Sequence, residues 1–430
     1  MNNTLHMRIA SWIAAIGCFL LLLSAGGVAK SGQNIGFVLL VLSLLAAGPG
    51  VWRTVTRTPL VWATAAWIAA ITASMLYAAV VVDIPVDDQT RHLWRFSRLF
   101  LIPLTAWAVA FSRLGAHRAY MILFAGFVLG MAYYMADSGW PWFFSTDGRV
   151  DISGENEQFY GMFSATAFMA ALVFGTNVHR HAASLQRRLV LYGFWTIIAL
   201  AAIQGLLISL ARGAFLALGA ALAVWAGFHG LRMIRSKSMS WSATAAAALI
   251  VLAAGGGLLL SGALDHPTSR MQKDIAVLVE GPDPETGFYM DRSMGIRFNQ
   301  WRVGLSGWSE HKLLGHGTDG SRQVRAMAEL PKYSARSAPH HFHSSYMDIL
   351  VRFGLVGMAA IACFFVVFLR TVRAGNGPFA NPVTQFASVG LLIFLVAGLT
   401  QTYWTSQVAW FYLAGMLGPA GAAAMTAPDP

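Results

Sequence analysis

The chain has 430 residues, of which 56% are hydrophobic and 11% charged. A soluble globular chain carries about 25% charged residues, so with a mean hydropathy of +0.56 the composition excludes an ordinary soluble enzyme and points to a polytopic membrane protein. The net charge of +11 does not call for a nucleic-acid partner, because basic membrane proteins carry their excess in cytoplasmic loops.

Crossing the hydrocarbon core takes about 20 apolar residues per helix. Candidate runs fall at 8–28, 35–51, 60–82, 99–112, 119–137, 159–177, 189–209, 213–228, 241–262, 346–369, 384–402 and 407–425. The expected fold is therefore all-α, with about twelve transmembrane helices. The first run, Ile9 to Val28, is too long for a signal-peptide core and has no clear small-residue cleavage site, so it is expected to stay as a helix. Cys18 and Cys363 lie inside apolar runs, which indicates neither a disulfide framework nor a thiolate metal site. Ser209-Leu210-Ala211-Arg212-Gly213 is read as a tight turn between two runs. An arginine in the middle of one long span would cost roughly 2.5–3.5 kcal/mol.

Charge tests this count independently. The even-side connections carry Arg53 and Arg57; Arg113 and Arg118; Arg180, Arg187 and Arg188; Arg232, Arg235 and Lys237; and Arg370 and Arg373. Arg8 precedes the first run, and none of these segments holds an acid. Apart from Asp348 and Asp429, the acids gather on the odd side. The positive-inside rule then puts both termini in the cytoplasm and the long polar segment outside. The chain divides into 1–262 with nine spans, a loop domain at 263–345, and 346–430 with three more.

Three outer segments exceed a turn. Residues 83–98 carry Arg91, Arg95 and Arg98 at helical spacing around Trp94. They suit either lipid phosphates or ordinary headgroup contact. Residues 138–158 hold Trp140, Trp142, Phe143 and Phe144, an interfacial aromatic anchor. In the long loop the spacing predicts helices over Ser269–Glu280, Ser293–Glu310 and Gln323–Leu330. A Pro/Gly break at Gly281–Gly287, a turn at Gly315–Gly320 and an irregular stretch from Tyr333 to Ser345 separate and end them.

Candidate chemistry gathers at the outer side. His343 stands where the loop becomes a helix, with Ser344 and Ser345 as caps. The helix dipole disfavours added positive charge there, so a neutral imidazole is a usable general base. A loop histidine bonded to backbone is the plain alternative. His340 and His341 invite a metal reading, but no cysteine or nearby carboxylate completes it, and no metal is expected. Arg212 is either an anion site or a residue snorkelling to headgroups. Arg297 lies one turn before Trp301 and shares its face. Arginine suits phosphate because its planar fork donates two parallel hydrogen bonds. Asp348 and Arg352 stand four apart and can pair. No P-loop, Rossmann, zinc-protease or nucleic-acid signature is present.

In order along the chain, Ser209-Leu210-Ala211-Arg212-Gly213, Arg297-Phe298-Asn299-Gln300-Trp301, Leu313-Leu314-Gly315-His316-Gly317, His343-Ser344-Ser345-Tyr346-Met347-Asp348-Ile349-Leu350 and Phe353-Gly354-Leu355-Val356-Gly357 resemble the O-antigen ligase family of membrane enzymes. The resemblance covers the second half by motif and the first half by topology. Relatives often have His-Asn where this chain has His343-Ser344.

The resemblance implies a GT-C-like glycosyltransferase with one large, mainly helical periplasmic loop. It implies en bloc transfer of an O-antigen glycan from undecaprenyl pyrophosphate to the lipid A–core oligosaccharide, in lipopolysaccharide biosynthesis at the Gram-negative inner membrane. On this reading His343 is the base, and Arg212 and Arg297 hold the pyrophosphate. Arg91, Arg95, Arg98, Trp301, His340 and Asp348 bind substrate. No cofactor or metal is needed, direct attack predicts inversion, and the partners are the two glycolipids and membrane lipid. An O-antigen polymerase and a protein O-oligosaccharyltransferase share parts of the pattern. A lipid-linked glycan transporter predicts polar residues through the middle of the bilayer, where these runs are almost free of charge.

Overall fold

The computed structural model describes residues 2–23, 30–46, 58–138, 157–178, 184–209, 211–236, 272, 275–277, 279–290, 293–328, 341–374 and 381–425. Among the described residues the regular structure is entirely helical. The helices of the first half are α1 (Asn2–Leu23), α2 (Lys30–Ala46), α3 (Pro59–Val80), α4 (Val86–Ser97), α5 (Leu101–Phe111), α6 (Ala116–Ser138), α7 (Glu157–Gly175), α8 (Leu185–Ser209) and α9 (Arg212–Ser236). The second half adds α10 (Ser293–Glu310), α11 (Gly320–Met327), α12 (Ser345–Ala374), α13 (Pro382–Ala397) and α14 (Gln407–Met425).

Seven of these are long and apolar enough to cross a membrane, in α1, α3, α7, α8, α9, α12 and α14. Their outer faces leave Trp12, Ile16, Trp62, Leu76, Ile197 and Leu200 exposed, as lipid-facing helices require. The expected set of about twelve is met only in part. The runs at 35–51 and 384–402 form shorter apolar helices. The run at 99–112 yields an eleven-residue α5, about 16 Å long at 1.5 Å per residue, which is too short to cross alone. The segment Val86–Phe111 and the following Ala116–Gly130 meet at 119°. The run at 241–262 and the aromatic segment 140–144 lie outside the described residues.

The bundle closes around α7, whose apolar window is wholly buried, whereas that of α9 is 22% buried. α7 packs on α8, α9 and α13, and α14 packs on α5. Small residues permit the close approaches: a Cβ on Gly161 of α7 would press on Ala211 and Ala214.

The segment between α10 and α11 joins the bundle through a break in α12. Gly354 has φ +60°, and a Cβ there would collide with the Leu313 carbonyl. Helical bonding is interrupted at this point, and the Leu313–Gly317 strip takes its place. His316 N–H donates to Val351 O (2.9 Å) and Gly317 N–H to Arg352 O (2.7 Å). In return Leu355 N–H donates to Lys312 O (3.0 Å) and Val356 N–H to Leu313 O (3.1 Å). Ser74 Oγ of α3 lies 2.5 Å from Leu314 O and 2.8 Å from Arg352 O. Two of the sequence motifs thus form one backbone ladder at the head of α12.

Within the loop, α10 has the expected bounds. The helix expected at 323–330 begins three residues earlier, at Gly320, and ends at Met327. Half of the helix expected over 269–280 and most of 333–345 lie outside the described residues. Residues 275–277, 279 and 280 are helical.

Candidate active site

The break expected at 209–213 is present: α8 ends at Ser209 and α9 begins at Arg212, with Leu210 outside the described residues. Ser209 Oγ accepts from Ala211 N–H (3.3 Å). Arg212 Nη2 donates to Ser293 Oγ (3.0 Å), the first residue of α10. Beside it, Gly213 is set so tightly that a Cβ would collide with Thr400 Oγ1. Thr400 belongs to the connection between α13 and α14.

The same connection holds the histidine. Gln401 Oε1 accepts from His343 Nδ1–H at 3.1 Å, which assigns the second lone pair of the ring to Nε2. Gln401 is buried, and its carbonyl accepts from Ser345 N–H (3.2 Å) and Ser345 Oγ–H (2.9 Å). His343 itself has φ +51°, a left-handed conformation that costs a non-glycine residue about 1–3 kcal/mol. Its N–H donates to His341 Nδ1 (3.2 Å), and the two rings meet edge to face, 4.6 Å between centroids. Ser344 caps α12, its Oγ accepting from Met347 N–H at 3.5 Å.

Arg297 and Trp301 share the face of α10 that meets this segment. Trp301 Nε1–H donates to Phe342 O (2.9 Å), next to His343. Arg297 packs on Met294 Sδ (3.8 Å) and acts electrostatically on both His343 and Tyr403. Arg325 of α11 is buried and donates to His341 O (2.6 Å). Burial lowers its pKa to about 10, with Asp348 opposing the shift.

Burial pushes the His343 imidazole down to about 4, and the His341 ring adds to this. The Gln401 bond opposes the shift, and the guanidinium groups of Arg297 and Arg325 reinforce it. His343 is therefore neutral at physiological pH, within a cationic surround.

Asp348 has a different setting. It is fully buried and accepts from Ser321 Oγ–H (2.7 Å), Thr402 Oγ1–H and Phe342 N–H (3.3 Å). Arg352 Nε lies 3.8 Å from it, as the spacing anticipates, and Arg352 Nη1 donates to Thr318 O. Asp348 thus ties α11, α12, the Phe342 segment and the connection after α13 together.

Arg91 and Arg95 of α4, and Arg98 in the turn that follows it, stand elsewhere. Arg95 is exposed, Arg98 is half-buried with its guanidinium 5.7 Å from the Trp94 ring centre, and the side chain of Arg91 lies outside the described residues. α4 meets the loop at residues 318–322: Thr318 Oγ1 donates to Gln89, His92 Nε2 lies 3.3 Å from Asp319, and Arg322 Nη2 lies 3.7 Å from Asp88. His340 lies outside the described residues. Gln401 and Arg325 are additions to the sequence reading. Gln401 closes an apolar run, where a buried amide is the available signal; Arg325 reads in sequence as a solvated cation.

Arg212, Arg297, His343 and Gln401 come from four separate stretches and close a ring. Arg212 reaches the start of α10, α10 meets the Phe342–His343 segment through Trp301, His343 bonds Gln401, and Thr400 returns to Gly213. A search of curated proteins finds no match. Residues 197–362 match a family model described as O-antigen ligase. That segment runs from within α8 to within α12 and takes in Arg212, Arg297, Arg325, His343 and Asp348, and this similarity supports membership of the O-antigen ligase/polymerase superfamily.

Proposed function

We propose that this protein is an O-antigen ligase. It transfers the glycan en bloc from undecaprenyl pyrophosphate to lipid A–core, in lipopolysaccharide biosynthesis at the periplasmic face of the Gram-negative inner membrane. Both termini lie in the cytoplasm, as the segregation of basic and acidic residues along the chain supports. The observation that carries the reading is that Arg212 reaches the head of α10 while the Arg297–Trp301 face of the same helix meets the His343 segment.

His343 Nε2 takes the proton of the acceptor hydroxyl. The hydroxyl oxygen then bonds the anomeric carbon from the face opposite the pyrophosphate, giving inversion. The anomeric C–O bond breaks and its electron pair leaves on the pyrophosphate. Arg212 and Arg297 hold that anion and stabilise the charge it gains. Because the leaving group departs as a stabilised anion, the step needs no divalent metal. Gln401 is a positioning residue that keeps the His343 proton on Nδ1. Trp301 positions Phe342 and so the neighbouring His343. Asp348 supports substrate binding by fixing this segment. Arg95 and Arg98, with Arg91 on the same helix, hold acceptor phosphates.

The test assays transfer by purified protein in liposomes. His343→Ala keeps its thermal unfolding midpoint and loses activity by about 10²–10⁴. Near-normal turnover from the folded variant removes the base assignment. A rate that depends on added Mg²⁺ or Mn²⁺ removes the metal-free step. Unchanged acceptor affinity in an Arg91, Arg95 and Arg98 triple charge-removal variant removes their role. In a deletion strain, loss of long-chain lipopolysaccharide with accumulated lipid-linked O-antigen supports the ligase. Short-chain lipopolysaccharide bearing a single repeat identifies a polymerase instead.

A further inference from the structure

Outside the His343 site, three ligating side chains converge where α10 meets the Leu313–Gly317 strip. Glu310 ends α10, His311 follows it, and His316 is the centre of the strip's turn. One ligand atom from each lies within 4.8 Å of the other two. His316 is 1% exposed. Its Nε2–H donates to Gly307 O (2.8 Å), so Nδ1 is the nitrogen left to offer a lone pair. That buried Nδ1 has no hydrogen-bond partner among the described residues. An unsatisfied buried acceptor costs about 1–3 kcal/mol and calls for a ligand or a reason.

The facing ring is His311, nearly perpendicular at 87° with centroids 4.7 Å apart. Its Nδ1 lies 3.0 Å from Tyr77 Oη of α3, which leaves Nε2 to coordinate. Ligating imidazoles almost always donate their other N–H to an oxygen that fixes ring and tautomer. Here Gly307 O serves His316, and Tyr77 Oη can serve His311. Glu310 is exposed and can swing its carboxylate to close the set.

We propose that Glu310, His311 and His316 form a binding site for a divalent transition metal of the zinc class. Two imidazoles and a carboxylate are a donor set that zinc accepts, with a fourth position for water. The bound ion ties the end of α10 to the turn that grips α12, and through Tyr77 to α3. Its role is structural and separate from glycan transfer.

The experiment uses full-length protein without a histidine tag, in detergent, titrated with Zn²⁺ against a chelating dye. One Zn²⁺ binds per chain and raises the thermal unfolding midpoint. His311→Ala abolishes both effects, and Tyr77→Phe weakens affinity by about 10–100-fold. Both positions lie away from the His343 site, so these variants keep glycan transfer. His316→Ala is not needed, which avoids the buried position. Failure of the wild type to bind saturably overturns the proposal. Binding left intact in both His311→Ala and Glu310→Gln overturns it equally, by assigning the ion to other histidines.

Discussion

His343 and Asp348 stand five positions apart and are built in opposite ways. Asp348 is sealed: the protein supplies three donors and a guanidinium to its carboxylate. His343 is held at Nδ1, sits in a strained backbone conformation and is surrounded by cations that disfavour its own protonation. The first arrangement fixes a geometry. The second, on the proposed mechanism, keeps a base neutral and offers positive charge to an anion. The segment teaches that framework and chemistry can share a single turn of chain when one carboxylate locks the backbone that presents the imidazole.

The largest expected effect comes from breaking the sealed side. Asp348→Ala removes the nearest carboxylate from buried Arg352, leaving it the more distant Asp319, and costs about 3–5 kcal/mol, measured as a lowered unfolding midpoint before any assay. Next is the junction beneath it. Gly354→Ala forces an L side chain into φ +60° against the Leu313 carbonyl and costs about 1–3 kcal/mol, read by the same measurement together with transfer.

A smaller change sharpens the His343 side. In kcat/KM against pH the wild type holds its activity as pH falls through 6.5 and loses it near pH 4. Gln401→Glu places a carboxylate beside the ring, favours the imidazolium and moves that acid limb up to about pH 5–7, with the fold kept. A residue that only packs would leave the limb in place. The stability sign follows: between pH 6.5 and 4 the unfolded chain binds a proton that the folded His343 refuses, so stability falls as pH falls through that window. The smallest effect is Trp301→Phe. It removes one hydrogen bond to Phe342 O and costs about 0.5–1.5 kcal/mol, seen as a modest loss of kcat without loss of fold.

Much of this was legible from residue order. Arg212 marked a turn because an arginine cannot be left cheaply in hydrocarbon, and α10 carried a helical period with ends in the expected places. The membrane class followed from the deficit of charge. The span count was less legible, because α2, α5 and α13 are apolar yet short, and hydropathy measures polarity better than reach. The exchange between Leu313–Gly317 and Val351–Val356 left no trace in sequence, since backbone bonds between distant segments impose no residue type beyond Gly354 and the small turn residues. Gln401 was hidden for the same reason: its partner is 58 positions away.

The break in α12 sets the unit in which this protein can be rebuilt. The stretch Ser345–Gly354 is bonded to the strip before it rather than continuing the helix below. A chimera that swaps the segment before α12 at the usual border, the first residue of an apolar helix, would cut that ladder in two. The transplantable cassette runs from Ser293 through Val356, and its seam belongs inside the apolar span of α12.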